Sequence, residues 1–393
     1  MQTISILGRQ AAISLAELES LYGADVIRPI GDYAALLDCE PTDISPTRLG
    51  GVIKHAKLLT EIKSTSWYDI ERFLVDTIPA HLRYVPEGKF KLGISTYGLG
   101  VKAETINSTA LKLKKVIKAT GRSVRVVPNK TPELNAAQVL HNQLTRSTGW
   151  ELLLIKDGSR TLLAQTLYVQ DIDAYAARDQ ARPKRDAFVG MLPPKLAQII
   201  LNLATGPTHK DIATILDPFC GTGVLLQEAI LMGYKVIGTD LSDKMVEFSR
   251  ENIEWLKSTL KLEGVDYTIE NADATTATFP TGFDTVATET YLGQPMTSLP
   301  EREKFERIVR DVDQLHTAFL KNLHEQLQPG TRFCIAVPAW RLSNSQFHHL
   351  PTLAKLTDMG YTRLSFVHAT NDQLLYNRED QLVARELVVL TRN

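Results

Sequence analysis

The sequence predicts an α/β carboxyl-terminal half preceded by an α+β amino-terminal half, and three observations carry that reading. Asp217-Pro218-Phe219-Cys220-Gly221-Thr222-Gly223 lies between an apolar, β-branched run, Ile212 to Leu216, and an apolar, helix-favouring run, Leu225 to Met232. A glycine loop there joins a buried strand to a helix. Next, two further strand-like runs each close on an acidic residue: Lys235 to Thr239 before Asp240, and Tyr267 to Glu270 before Asn271-Ala272-Asp273. Third, the formal charge of -1 divides unequally: residues 1 to 185 carry +6 and residues 186 to 393 carry -7.

The glycine loop fixes the first functional expectation. Gly221 and Gly223 allow backbone conformations closed to other residues and let a ligand approach the first N–H groups of the following helix. In open α/β sheets ligands collect outside the carboxyl ends of the strands, where this loop lies. A nucleotide-like cofactor is implied. The Asp240 carboxylate is placed to accept from both hydroxyls of a ribose, and Asp273 to accept from an adenine amino group. Ser242 or Asp243 caps a helix running through Met245, Phe248, Ile253, Leu256 and Leu260 toward Gly264.

Composition excludes several classes. At 393 residues, 44% hydrophobic and 23% charged, the chain reads as a soluble globular protein of two or three domains. No apolar run approaches the ~18 residues of a membrane span, and the N-terminus reads as lacking a secretion signal. Cys39, Cys220 and Cys334 are too few and too scattered for a disulfide framework or a zinc site, which points to a reducing cytoplasm. Cys220 sits in the glycine loop, where it is either a nucleophile or a small buried residue; no partnering base accompanies it. His209, His348 and His349 lack metal-ligand spacing.

Taken in order, Thr3 to Leu7 reads as a strand. Ser14-Leu15-Ala16-Glu17 reads as a capping box opening a helix to Leu21, and Ala34 to Leu37 as a strand. Gly50-Gly51 marks a join, giving an α+β domain of ferredoxin-like type over 1–50. Lys89 to Thr96 is a strand, and Asn107 to Ala119 an amphipathic helix carrying Lys112, Lys114, Lys115 and Lys118. Gly121 stops that helix, Arg122 to Val127 is a basic strand, and Pro132 opens another helix through Leu140 and Leu144. Glu151 to Ile155 and Thr161 to Thr166 form a hairpin about Asp157-Gly158. Residues 54 to 130 alone carry +9, so this block either grips a polyanion or presents a solvated face.

Beyond the linker of residues 169–194, Lys195 resumes a helix, Phe283 to Ala287 is a fourth strand, Pro300 to Leu327 a long helix and Thr331 to Val337 a fifth strand. The ordered set of strand, glycine loop and acidic residues resembles the S-adenosylmethionine pocket of class I methyltransferases. The basic strand, helix and closing hairpin over 51–168 resemble the THUMP module, which binds the acceptor end of tRNA in its family. The linker, Arg178-Asp179-Gln180-Ala181-Arg182-Pro183-Lys184-Arg185-Asp186, and the segment Gly190-Met191-Leu192-Pro193-Pro194-Lys195-Leu196-Ala197 resemble the entry to the catalytic domain of THUMP-containing tRNA guanine-N2 methyltransferases. The tail, Leu374-Leu375-Tyr376 with Gln381-Leu382-Val383-Ala384-Arg385-Glu386, is similar to that family's. The family methylates guanosine at position 10 of tRNA.

That resemblance implies a Rossmann-like domain with a mixed seven-stranded sheet over 195–393. It implies S-adenosylmethionine held by Asp217, Phe219, Gly221, Gly223, Asp240 and Asp273, with Leu192 and Pro193 closing over its methionine end. It implies tRNA as partner, held by Lys112, Lys114, Lys115, Lys118, Arg122, Arg178, Arg182, Lys184 and Arg185. No membrane and no metal are expected, and an accessory subunit stays open. One stretch departs from the pattern. Where amino-group methylases carry Asp or Asn, two prolines and an aromatic, this chain has Glu289-Thr290-Tyr291-Leu292 before Gly293.

Glu289 then stands as acceptor for the N–H groups of a poorly nucleophilic exocyclic amine, and Tyr291 as a face on which the base stacks. The alternative is a loop that is inactive or repurposed. Three functions follow: a tRNA guanine-N2 methyltransferase, an amino-methyltransferase of DNA or ribosomal RNA, or a non-catalytic tRNA-binding protein that keeps the cofactor fold.

Overall fold

The computed structural model describes residues 2–186, 192–208, 213–296, 298–343, 346–378 and 381–393. Gly190 and Met191 of the linker, Ile212 of the expected first strand and His209 lie outside the described residues. The chain forms two compact units. The first comprises Met1–Ala11, Asp25–Thr47 and Val52–Ala174; the second comprises Ala12–Ala24, Arg48–Gly51 and Tyr175–Asn393.

In the first unit β1 (Thr3–Leu7), β2 (Ile27–Ile30) and β3 (Ala34–Leu37) share one eight-stranded sheet with five later strands. These are β4 (Val52–Ile62), β5 (Phe90–Tyr97), β6 (Val124–Val126), β7 (Gly149–Asp157) and β8 (Arg160–Val169), in the order β2-β3-β1-β4-β8-β7-β5-β6. The expected boundary at residue 50 is thereby corrected: β1 pairs directly with β4, so no edge separates the two segments. Helices α2 (Trp67–His81) and α3 (Ala103–Ala119) bury Ile70, Leu74, Ile106, Leu113 and Ile117 in one cluster with Phe90, Leu92 and Leu152. The helix expected to open at Pro132 starts later, as α4 (Ala136–His141). The Asn135 side chain accepts from Gln138 N–H and caps it, so the prolyl segment stays in a bend outside the helix.

A buried ion pair holds the centre of this sheet. Lys54 Nζ on β4 donates to a Glu151 carboxylate oxygen on β7 and to Leu134 O, while Ser95 and Thr166 hydroxyls donate to the same carboxylate. Every partner is buried, so the pair meets its desolvation cost with two bonds from the ammonium and donors on both carboxylate oxygens.

Helix α1 (Ala11–Tyr22) leaves this sheet and, from Ala12 on, belongs to the second unit. The capping box read at Ser14 is not at a helix start. Ser14 lies one turn inside, where its hydroxyl donates to Gly51 O and Glu17 accepts from the N–H groups of Gly50 and Gly51. Gly50-Gly51 is therefore a close approach of backbone to backbone: a Cβ on Gly50 would lie 2.0 Å from Lys195 O, and one on Gly51 2.9 Å from Ser14 Cα.

Past the linker helix α5 (Ile172–Gln180), the second unit carries α6 (Pro194–Thr205), β9 (Thr214–Asp217), α7 (Val224–Leu231), β10 (Lys235–Asp240), α8 (Asp243–Leu260), β11 (Tyr267–Asn271) and β12 (Thr285–Glu289). Then follow α9 (Arg302–Gln326), β13 (Arg332–Arg341), β14 (Phe347–His348), β15 (Tyr361–Arg363), β16 (Leu375–Tyr376) and β17 (Val383–Arg392). Seven strands lie in the order β11-β10-β9-β12-β13-β17-β15, with β14 and β16 attached to β13 and β17. Strands β11 to β13 on this path are parallel, and β17 runs antiparallel between β13 and β15. The mixed sheet expected for residues 195–393 is found, with seven strands on its main path, while β14 and β16 bring it to nine rather than the seven expected. Strand order reverses beside β9, so β9, β10 and β12 present their carboxyl ends together.

Candidate functional site

The loop after β9 is shaped by bonds to its neighbours. Cys220 N–H donates to Thr239 O at 2.9 Å, and Gly221 N–H to Asp240 Oδ2 at 2.9 Å. Gly221 has φ +52° and Gly223, which opens α7, φ +80°. A Cβ on Gly223 would come 2.7 Å from Ser249 Oγ on α8, whereas one on Gly221 would have only Phe219 O near it, at 4.0 Å. The loop is thus pressed onto α8 by its last glycine and left open to a ligand at its middle one. Asn252 Nδ2 donates to Thr222 O and to Lys184 O, binding loop and linker to the same helix.

Asp217 closes β9. It is 2% exposed, and its Oδ1 accepts from the Thr288 hydroxyl and from Phe219 N–H. Burial pushes its carboxyl up to about 7 against those two donors, and the charges of Asp240 and Glu289 push the same way. Asp240 closes β10 and receives Ser242 N–H on Oδ1 and Gly221 N–H on Oδ2; burial raises it too. Cys220 is 5% exposed, and burial lifts its thiol well above the ordinary value, the environment of an inert thiol.

Glu289 closes β12, where Arg385 Nε donates to its Oε1. Thr290 follows and is buried. Its N–H donates to Ala336 O and its hydroxyl lies 2.7 Å from His316 Nε2 on α9. The other ring nitrogen, His316 Nδ1, is 2.7 Å from Val312 O. A carbonyl only accepts, so Nδ1 carries the proton and Nε2 is left to accept from the Thr290 hydroxyl, which also lies 3.0 Å from Ala336 O. Burial lowers His316 to about 4, so it stays neutral. In a loop without the expected proline pair, this bond pins the residue after the acid.

These side chains line one cavity of about 600 Å³ in the second unit. Asp217, Phe219, Gly221, Asp240, Leu192, Glu289 and Tyr291 of the expected residues all line it, together with Asp186, Leu241, Lys244, Met245 and Leu315, which the sequence reading missed. Tyr291 is 43% exposed, a ring free to meet a planar partner. Gly223 and Pro193 act from behind the wall, as the residues preceding α7 and α6. Asp273 is not on the cavity. Its Oδ1 accepts from Thr275 N–H and hydroxyl, bonds that lower its carboxyl and close a turn after β11.

Several expected RNA contacts are turned inward, and Lys184 and Lys112 are paired at the surface. Arg122 donates to Val85 O and Pro86 O. Arg178 pairs with the buried Glu228 at 2.7 Å, Arg182 is 2% exposed, and Lys184 pairs with Glu251 at 3.2 Å. Lys112 pairs with Glu71 on α2. Lys115 and Lys118 are exposed on α3, Lys114 is half-buried beside them, and Arg185 is exposed in the linker. Lysines and arginines look alike in sequence; only packing tells a clamp from a contact.

Residues 209–379 match a family model described as a methyltransferase domain, and residues 108–251 one described as a DNA methylase. The tRNA (guanine(10)-N2)-dimethyltransferase of Methanothermobacter thermautotrophicus is 34% identical over 194 residues, 48% of this chain and 51% of that one. The enzyme of the same name from Pyrococcus abyssi is 37% identical over 152 residues, 38% of this chain and 39% of that one. The aligned part thus spans about half or less of these curated relatives. The crystal structure of TrmN from Thermus thermophilus matches over 100% of both chains with TM-score 0.51 and 16% identity. The fold is that of a class I, Rossmann-like methyltransferase with an amino-terminal α+β portion. Among the described residues no helix is long and apolar enough to cross a membrane.

Thr290→Val should destabilise the full chain by about 1–3 kcal/mol, because it leaves the buried Nε2 of His316 unpaired, whereas Thr290→Ser should keep most of the parent stability. Urea unfolding of both variants checks this; equal losses would return the bond to packing alone.

Proposed function

We propose that this protein transfers a methyl group from S-adenosylmethionine to the exocyclic N2 of a guanosine in tRNA, position 10 by analogy with the relatives' names. One observation carries the reading: the glycine loop with Asp217 and Asp240, and the Glu289–Tyr291 loop, line the same cavity.

The residues fit the cofactor. Gly221 leaves open space where a side chain would stand, Asp240 faces the cavity with its orientation fixed by two N–H groups, and Leu192, Val224, Leu241 and Met245 supply apolar wall. Asp240 would take the ribose hydroxyls, the apolar wall the adenine ring, and Asp217 the ammonium of the methionine end. When bound, the cofactor would supply an electrophilic sulfonium methyl to the amine lone pair, and the proton the amine loses would pass to water or to the Glu289 carboxylate. Glu289 accepts an amine N–H and turns the lone pair toward the methyl, while Tyr291 stacks on the base. The acceleration comes from orientation and from a carboxylate fixed where positive charge develops on nitrogen.

The first unit is the proposed tRNA-holding part, of THUMP type, with Lys114, Lys115 and Lys118 toward phosphates. A second reading, amino-methylation of DNA, has the family model described as a DNA methylase in its favour. The test is transfer of labelled methyl to unmodified tRNA and to duplex DNA, with nucleoside analysis of the product. N2-methylguanosine from tRNA is expected; methyladenine or methylcytosine from DNA would put the second reading first. No transfer, with cofactor and tRNA binding intact, would leave a binding protein.

Two further outcomes are expected. Asp217 ionises near pH 7, and a cationic ligand group favours its ionised form. Affinity for S-adenosylhomocysteine, which keeps the ammonium, should therefore rise between about pH 6 and pH 8. Calorimetric titration should show that rise flattened in Asp217→Asn; an unchanged slope would place the ammonium elsewhere. Replacing Lys114, Lys115 and Lys118 by Gln should weaken tRNA binding and lower the salt slope of log Kd by about one for each phosphate no longer neutralised. A slope equal to the parent's would make that helix face merely solvated.

A further inference from the structure

The acid at the end of β12 is longer by one methylene than the residue expected there, and the structure shows where that length goes. Glu289 is in register with Ala336 on β13, and Ala336 with Leu387 on β17, so the three side chains share one face of the sheet. Arg385 stands two residues before Leu387, on the same face and opposite Pro338. Its guanidinium must cross β13, a span of roughly 10 Å between first and third strands, and it reaches Glu289 Oε1 through Nε. The strand crossed presents Ala336 and Pro338 on this face, side chains short enough to pass over. An aspartate, shorter by about 1.5 Å, would leave the gap open.

The pair is well shielded, the two side chains being 7% and 15% exposed. Facing Glu289 are Arg385 from β17 and the Asp217 carboxylate from β9. Glu386, the next residue on β17, points to the opposite face, where it takes Arg363 and His349. Among the described residues Arg385 is the cation paired with Glu289. Oε2 has no protein partner among the described residues.

We propose that Arg385 is the positioning residue of the transfer: it holds Oε1 of Glu289 and leaves Oε2 as the acceptor aimed at the substrate amine. The role rests on the reading of the cavity as an amino-methyltransferase site. It also accounts for the altered loop. Rigidity that a proline pair would supply through the backbone is supplied by Arg385 on the side chain and by His316 on Thr290.

The test compares Arg385→Gln, Arg385→Lys, Glu289→Gln and the double variant Arg385→Gln/Glu289→Gln in the full chain, reading kcat and KM from total methyl transferred to tRNA, with S-adenosylhomocysteine affinity measured in parallel. Arg385→Gln should lower kcat by about 10- to 100-fold with cofactor affinity and KM for tRNA within about twofold. Arg385→Lys should restore part of the loss, and the double variant should be no slower than Glu289→Gln. Losses that multiply in the double variant, or no recovery in Arg385→Lys, would overturn the role. Because the readout is total methyl, this comparison stands whatever nucleoside receives the group, while product analysis tests the N2 assignment separately.

Discussion

Three parallel strands that end side by side in carboxylates set the terms for everything else in the second unit. β9, β10 and β12 finish on Asp217, Asp240 and Glu289, and parallel register brings those ends to one edge of the sheet. Like charges gathered in a half-closed cavity repel and lose hydration. Each acid is therefore bound by a different device: a threonine hydroxyl and a backbone N–H at Asp217, two backbone N–H groups at Asp240, an arginine at Glu289. The glycine conformations, the seating of the loop against α8 and the long reach across β13 all serve those bonds. A cavity built this way favours a ligand that brings hydroxyls and positive charge.

The devices also differ in what they leave free. Backbone donors fix Asp240 without changing its charge or filling every lone pair, which suits an acceptor for two hydroxyls. Burial raises Asp217 to about 7, so in the proposed function a cationic group would complete it. Among the described residues Glu289 is anchored at one oxygen. The three acids are chemically alike, yet their surroundings differ, and the proposed function gives each its own task, much as environment rather than residue type divides paired carboxylates in other enzymes.

What the sequence made legible follows from which interactions are local. The strand–glycine–helix junction, Asp240 and the acid at 289 are spaced by single elements, so short-range pattern found them. Arg385 was quoted only as part of a tail, because it meets Glu289 across 96 residues and no spacing announces such a bond. His316 lay in a helix read for its apolar face, and its tie to Thr290 is equally hidden from spacing. Asp273 fitted the schedule of strand then acid, yet a threonine two residues on captured it, a local competitor that the pattern ignores. Charge counting erred in the same direction. It and the family resemblance together offered Arg122, Arg178 and Arg182 to a polyanion, although their guanidinium groups sit among carbonyls, a buried glutamate and the linker's own interior.

The division of the chain was the least legible feature, and a physical reason can be given. Gly50-Gly51 reads as punctuation between domains, since paired glycines usually mark a flexible join. Here they are among the tightest backbone approaches of the second unit, closed by Glu17 and Lys195, while the strands on either side of them belong to one sheet. A glycine needed for room and a glycine needed for turning are the same letter. Telling them apart takes knowledge of what approaches, and in this chain that is the first turn of α6, the helix that follows Leu192 on the cavity wall. The amino-terminal segments Ala12–Ala24 and Arg48–Gly51 are thus part of the scaffold behind the cavity. A chain begun after residue 50 would lack the Glu17 carboxylate that accepts from Gly51 and the Arg48 carbonyl that accepts from Asn202 on α6.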